Sequence, residues 1–418
     1  MQKIYDFNKC PLSSKNGIYG GAAGDKDGVI FNNSLWMIKY PKNTKSMDKV
    51  EISYTNTPLC EYIGSHIYAI LGYDVHETEL GVRNGKVVVA CKDFTDDNTN
   101  LLEIRTIKNH KNDELSEILD TQLEETGSNH SVDLDSLLAH IYNNPILINV
   151  KDIEKRFFEQ AVIDIFINNN DRNNGNWGIL RHKDTGEDTL APVFDNGACL
   201  QSKLSIAQVT EKLKNPEKVA ENALNVQTSY SRNGKFLFGK QFLKLKEEFP
   251  ILENTINKVS EKIKEKLPEI LEFINSIPEK VEINEKIYDI CPKELKELYK
   301  SQLKSRAENI FSRENNIINN SPEIKPTDEE YLKINEQVKE LITRAPYIFQ
   351  NKDACYFNVN QILKSINSKA RIHTEEASKI FKESREELVT ENKIENIYTS
   401  KETYNKYLEL NQNENMIK

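Results

Sequence analysis

The sequence predicts an α+β protein of two lobes, a small β-rich one followed by a larger, mainly helical one, with a helical C-terminal extension. Three observations predict it. Gly17, Gly20, Gly21, Gly24 and Gly28 crowd one short region that runs into an alternating strand, Ser34 to Tyr40. Residues 74–94 hold two strand-like runs joined at Arg83-Asn84-Gly85, a strong hairpin signal. Most of the chain beyond residue 240 carries apolar residues at helical spacing. The expected boundaries are 1–94 for the first lobe, 95–300 for a linker and the second lobe, and 301–418 for the extension.

Composition narrows the class. With 418 residues there is chain enough for two or three domains. The net charge of −9 gives no electrostatic basis for gripping a nucleic-acid backbone. The 6 cysteines show no CxxC pair and the 7 histidines no HxH or HExxH spacing, so reduced thiols and no zinc site are expected. MQKIYDFNKCPLSS lacks the apolar stretch of a cleavable signal, and no run approaches the roughly 18 apolar residues that span a bilayer. A cytoplasmic chain without membrane contact is therefore expected, with secretion lacking a cleavable signal left open.

The elements follow in order. The glycine-rich turn lets backbone N–H groups approach phosphate oxygens, and Lys39 ends the strand after it. Alone, a flexible hairpin with a surface lysine explains the same residues. Thr57-Pro58 starts a helix whose apolar stripe is Leu59, Ile63, Ile67, Ile70 and Leu71, and Gly72 stops it. Glu61 sits in its first turn, where the helix dipole favours any acid. Lys86 to Cys91 reads as a buried strand leading to a connecting segment at Lys92, Asp93 and Phe94. Residues 95–150 turn polar, with a helix expected from Asp113 to Leu123 and a loop at 127–131. A helix over 151–168 buries Ile153, Phe157, Val162, Ile165 and Phe166. Residues 197–239 look loop-rich, 240–276 helical with a kink or break at Pro268, and Pro292 opens another helix. Thr327 with Glu330 makes a capping box, and the end beyond about Asn405 is expected to fray.

Residues 164–196 carry the chemistry. Apolar DIFI hands over to Asn168-Asn169-Asn170, which presents Asp171; Asn176 follows five positions later, and a strand, a turn and LAPVF deliver Asp195. A single loop Asp or Asn is usually a turn former. An Asp, an Asn five residues on, and a second Asp ending a strand–turn–strand is how phosphoryl-transfer sites hold a proton acceptor and Mg2+.

Together YGGAAGDK, WMIKYP, the helix containing Glu61, VVVACKDF, NNNDRNNGNWGIL and LAPVFD resemble the HipA-like serine/threonine kinases, in particular the compact CtkA-like type without an extra N-terminal β-subdomain. The match runs over about residues 15–200 and implies a bilobal protein-kinase-like fold that moves the ATP γ-phosphoryl group to a protein hydroxyl. By motif position Asp171 is the base, Asn176 and Asp195 hold Mg2+, Lys39 contacts the phosphates and pairs with Glu61, and Gly20, Gly21 and Gly24 line the phosphate loop. The resemblance also implies autophosphorylation, with Ser13 and Ser14 as candidates, and raises an inhibitory antitoxin-like partner. Asn173 departs from the histidine common in that family, and DRNNGN is also similar to the DRHxxN loop of phosphoinositide kinases. A lipid or inositide kinase and a pseudokinase-type interaction scaffold stand as alternatives.

Overall fold

The computed structural model describes residues 2–19, 26–47, 50–124, 132–311 and 324–394. These divide into two compact units, one of residues 1–106, 127–134 and 154–317, the other of 107–126, 135–153 and 318–418.

The first unit opens with β1 (Tyr5–Asp6), β2 (Lys26–Phe31), β3 (Ser34–Lys39), α1 (Thr57–Ile70), β4 (Thr78–Arg83) and β5 (Lys86–Lys92). The strands form a five-stranded sheet in the order β1-β4-β5-β3-β2. The expected hairpin turn is real: Asn84 and Gly85 have φ of 51° and 73°, the backbone of a tight two-residue turn. Asn32 and Asn33 make the β2–β3 turn with φ of 47° and 58°. Alternation sorts the side chains by face. Phe7, Val29, Trp36, Ile38, Tyr40, Val88 and Ala90 pack into one apolar cluster. Lys39, aligned with Lys26 on one side and Val89 on the other, therefore points to the opposite face. Helix α1 contacts β4 and β5, and ends where Gly72, at φ 79°, lets the Tyr73 N–H reach back to the Tyr68 carbonyl.

β6 (Thr99–Glu103) leads into α2 (Ile104–Ile118); β7 (Val132–Asp133) precedes α3 (Leu134–Asn143) and α4 (Ile153–Ile167). β8 (Gly178–His182) and β9 (Asp188–Leu190) join β6 in a three-stranded sheet. The segment expected to be loop-rich instead holds α5 (Ile206–Leu213), α6 (Pro216–Asn222) and the hairpin of β10 (Gln227–Arg232) and β11 (Lys235–Phe238). The loop expected at 127–131 lies outside the described residues. α7 (Gly239–Lys244) precedes α8 (Pro250–Ser276), which is continuous through Pro268. Pro268 and Lys264, whose carbonyl loses its helical donor to the proline, both lie on the exposed side. β12 (Lys280–Ile283) and β13 (Lys286–Asp289) form a hairpin before α9 (Lys293–Asn309).

α10 (Asp328–Arg344), α11 (Lys352–Ser365) and α12 (Thr374–Thr390) belong to the second unit. Thr327 and Glu330 form both bonds of the expected capping box. Within this unit α11 meets α3: the Asn358 amide donates to the Asn143 Oδ1 at 2.7 Å, and Tyr142 stacks on Phe357 with centroids 4.8 Å apart. The region expected to fray lies outside the described residues. Among the described residues no helix is long and apolar enough to cross a membrane.

Candidate active site

Helix α4 ends at Ile167 because Asn168 turns left-handed, with φ 56°. The Asn169 N–H then bonds the Asp164 carbonyl at 2.8 Å, and its amide donates to the Asp164 carboxylate. The loop beyond is held by its own asparagines. Asn173 donates to the Asp171 Oδ1 at 3.0 Å, the Gly175 N–H to the Asn173 Oδ1 at 2.9 Å, and the Asn176 amide to the Asp171 carbonyl at 2.6 Å. Asn173 thus steadies the carboxylate of Asp171.

Arg172 is the hub of this loop and is almost wholly buried. Its guanidinium pairs with Asp164 at 2.8 Å and donates to the Asn176 and Phe194 carbonyls and to the Asn196 side chain. One nitrogen, Nη1, serves both carbonyls, so the backbone at Asn176 and that entering Asp195 lie side by side. Burial alone would lower the guanidinium's pKa, but Asp164 raises it, so the charge stays.

Asp195 has φ 61°, a strained conformation for a residue with a side chain. From there its Oδ1 accepts from the Lys39 ammonium at 2.9 Å. The same ammonium donates to the Glu61 Oε2 at 2.9 Å. Burial would push Lys39 down, yet Asp195 and then Glu61 hold it well above its ordinary value. Burial would push both carboxyls up; Lys39 holds each below its ordinary value, Glu61 the more firmly.

The other Glu61 oxygen, Oε1, takes the Asn196 N–H at 2.8 Å and the His76 Nε2 at 3.0 Å. His76 Nε2 also lies 3.1 Å from the Ser65 Oγ, which accepts from the Asn196 amide at 3.0 Å. His76 was not readable from the sequence, where it is one polar residue before a strand; only the folded register brings it to Glu61. Cys91 lies beside Glu61 and His76, and burial pushes its thiol above its ordinary value.

Lys39, Glu61, Asp171 and Asp195 line one cavity of about 850 Å³. Asn176 and the connecting segment 92–94 do not line it. Asp93 is occupied instead, accepting from Lys15 at 2.8 Å, Tyr19 at 2.7 Å and Thr95. Lys26, unremarked in the sequence, does line it, opposite Lys39 on the next strand. Gly20, Gly21 and Gly24 lie outside the described residues. Ser13 is buried, with its N–H on the Gly28 carbonyl. The Asp195 carboxylate and the Asn176 amide oxygen, whose nitrogen is already committed, are hard oxygen donors of the kind Mg2+ takes.

No family profile matches the chain. Over 224 residues it is 35% identical to the serine/threonine-protein kinase CtkA of Helicobacter pylori. That stretch is 54% of this chain and 64% of the relative, a little under two thirds of its length. The crystal structure of H. pylori CtkA, described as a proinflammatory kinase, superposes with a TM-score of 0.59 and 26% identity, covering 75% of this chain and 97% of that one. HipA of Shewanella oneidensis, solved with HipB and operator DNA, reaches a TM-score of 0.41 at 13% identity, too distant to argue from. Over about half its length in sequence, and over three quarters of it in fold, the chain is similar to the serine/threonine-protein kinase CtkA.

Proposed function

We propose that the chain is an ATP- and Mg2+-dependent serine/threonine protein kinase that also phosphorylates itself. The observation that carries this reading is the Lys39 ammonium, held at 2.9 Å by both Glu61 and Asp195 in the cavity that Asp171 also lines. The similarity to CtkA, a serine/threonine-protein kinase, supports the same reading.

The residues suggest a division of work. Lys39 presents a fixed positive charge to the phosphates of ATP, and Glu61 keeps it from swinging away. Asp171, steadied by Asn173, accepts the proton of the acceptor hydroxyl. Asp195 and Asn176 would hold Mg2+, whose chemistry there is to neutralise phosphate charge. Rate gain in such a site comes from positioning and charge stabilisation more than from covalent chemistry. Gly20, Gly21 and Gly24 would cradle the phosphates.

Purified protein incubated with Mg2+ and labelled ATP, with and without a protein acceptor, tests the reading. Wild type is expected to label itself and the acceptor. Asp171→Asn and Asp195→Asn are expected to lose at least about a hundredfold in rate while remaining folded by circular dichroism. An Asp171→Asn variant with near-normal rates would remove that residue from the role of base. An unlabelled wild type with no thermal shift from Mg2+ and ATP would favour the scaffold reading.

A further inference from the structure

The catalytic cavity extends past the residues that handle ATP. From Asp171 and Asp195 it runs along the segment between β3 and α1, along the stretch after Asp195, and out to Phe236 on β11. The connecting segment expected to meet the nucleotide base is not part of its wall. In the kinase reading, this end is the part of the cavity left for a phosphoryl acceptor.

Its chemistry differs from that of the chain as a whole. The protein carries a net charge of −9, yet among the described residues the charged side chains lining this end, beyond Lys26, Asp171 and those assigned to ATP and Mg2+, are Lys42 and Lys203. Both are exposed, and neither has an ion-pair partner among the described residues. Glu51, on the segment that carries Lys42, does not line the cavity and accepts from the Ser205 hydroxyl at 2.8 Å, two residues beyond Lys203. Among polar lining residues such as Thr55, Gln201 and Ser202, the same wall carries three large apolar side chains: Met47 and Leu204 are partly buried, and Phe236 is 47% exposed. β11 is the outer strand of its sheet, order β11-β10-β7, which suits an extended neighbour.

We propose that this end of the cavity binds an extended protein segment with acidic side chains flanking the reacting serine or threonine, held by Lys42 and Lys203, and an apolar side chain resting on Phe236. The proposal rests on the kinase reading and names its substrate class. Each exposed lysine–carboxylate pair adds little alone, so the selectivity is graded rather than absolute.

The test uses the full chain, Mg2+, labelled ATP and serine peptides of one length whose flanking residues are Asp and Glu, neutral, or Lys. The acidic series is expected to have the lowest KM. In the Lys42→Glu/Lys203→Glu variant that KM should rise about five- to thirtyfold and the lysine-flanked series should become preferred, with the change in KM rather than kcat. Phe236→Ser should raise KM for peptides carrying an apolar residue. Equal use of acidic and basic peptides by wild type overturns the proposal, as does transfer to phosphoinositide vesicles with none to peptides.

Fluorescence anisotropy of a dye-labelled acidic peptide, read without turnover, keeps two failures apart. Binding that charge reversal abolishes, with no label transferred, supports the acidic-segment site and sinks the kinase reading. Label transfer with charge-independent binding sinks the acidic-segment site alone.

Discussion

Glu61 has one oxygen on Lys39 and the other on His76 and Asn196, with its side chain only 2% exposed. A carboxylate so enclosed cannot rotate away without leaving a buried charge unpaired, a costly state. His76 is accordingly a positioning residue for the Lys39–Glu61 pair. His76→Leu is expected to cut kcat about tenfold with a small change in ATP KM, and His76→Gln, which keeps a donor near Nε2, to restore most of it; equal losses in both would remove the positioning role. Glu61 also sets a pH dependence. A carboxyl held below its unfolded value of about 4.3 stabilises the fold fully above that pH and loses the effect as pH falls toward the folded value. Melting curves should show wild-type Tm dropping more steeply below about pH 4.3 than that of Glu61→Gln. The sequence made Lys39, Glu61 and Asp195 legible as a set because their elements follow in a fixed order, and the fold joins all three on one ammonium. It could not show His76 or the hub role of Arg172, since each depends on contacts between segments far apart in the chain.

At the scale of elements, α1 is fastened to the segment after Asp195. A Cβ added at Gly64 would come within 2.9 Å of the Asn196 Cβ and 3.0 Å of the Cys199 sulfur. In an exposed helix Gly→Ala gains about 1 kcal/mol, but forced overpacking costs about 1–3 kcal/mol. Gly64→Ala is therefore expected to lower Tm and to reduce phosphotransfer further than the Tm change alone explains, because the wedge separates Glu61 from Asn196. A Tm at or above wild type would show that the contact yields easily. Local signals served elements unevenly. Asn84-Gly85 and the Thr327–Glu330 box are short-range chemistry and were readable. β12 and β13 were not, because KVEI and KIYD are mostly exposed and carry no apolar face to reveal a strand. The helix expected from Asp113 begins at Ile104, since Ile104 and Ile107 are buried by tertiary packing that no N-cap announces.

At the scale of the whole molecule, the chain does not fill its two units one after the other. The second unit draws α2 and α3 from the middle of the sequence and α10 to α12 from its last third. Leu115, Leu137, Leu138 and Ile141 are buried there, and the Tyr347 hydroxyl caps the Asn143 carbonyl at 3.0 Å. A chain ending at residue 311 should expose these apolar faces and elute from size-exclusion chromatography as aggregate; a monodisperse, active product would show that the late helices are dispensable. A linear reading of the sequence could not anticipate this, because composition along 95–150 is polar and its buried positions find their partners only across some two hundred residues.

That interleaving sets a clock on biosynthesis. At ribosomal speeds of about 5–20 residues per second, α3 waits roughly 10–40 s for α11 to emerge. During that time its apolar face has no native cover, so the nascent chain should depend on chaperones that shield apolar surface, and a slowed codon between them should lower the yield of folded protein.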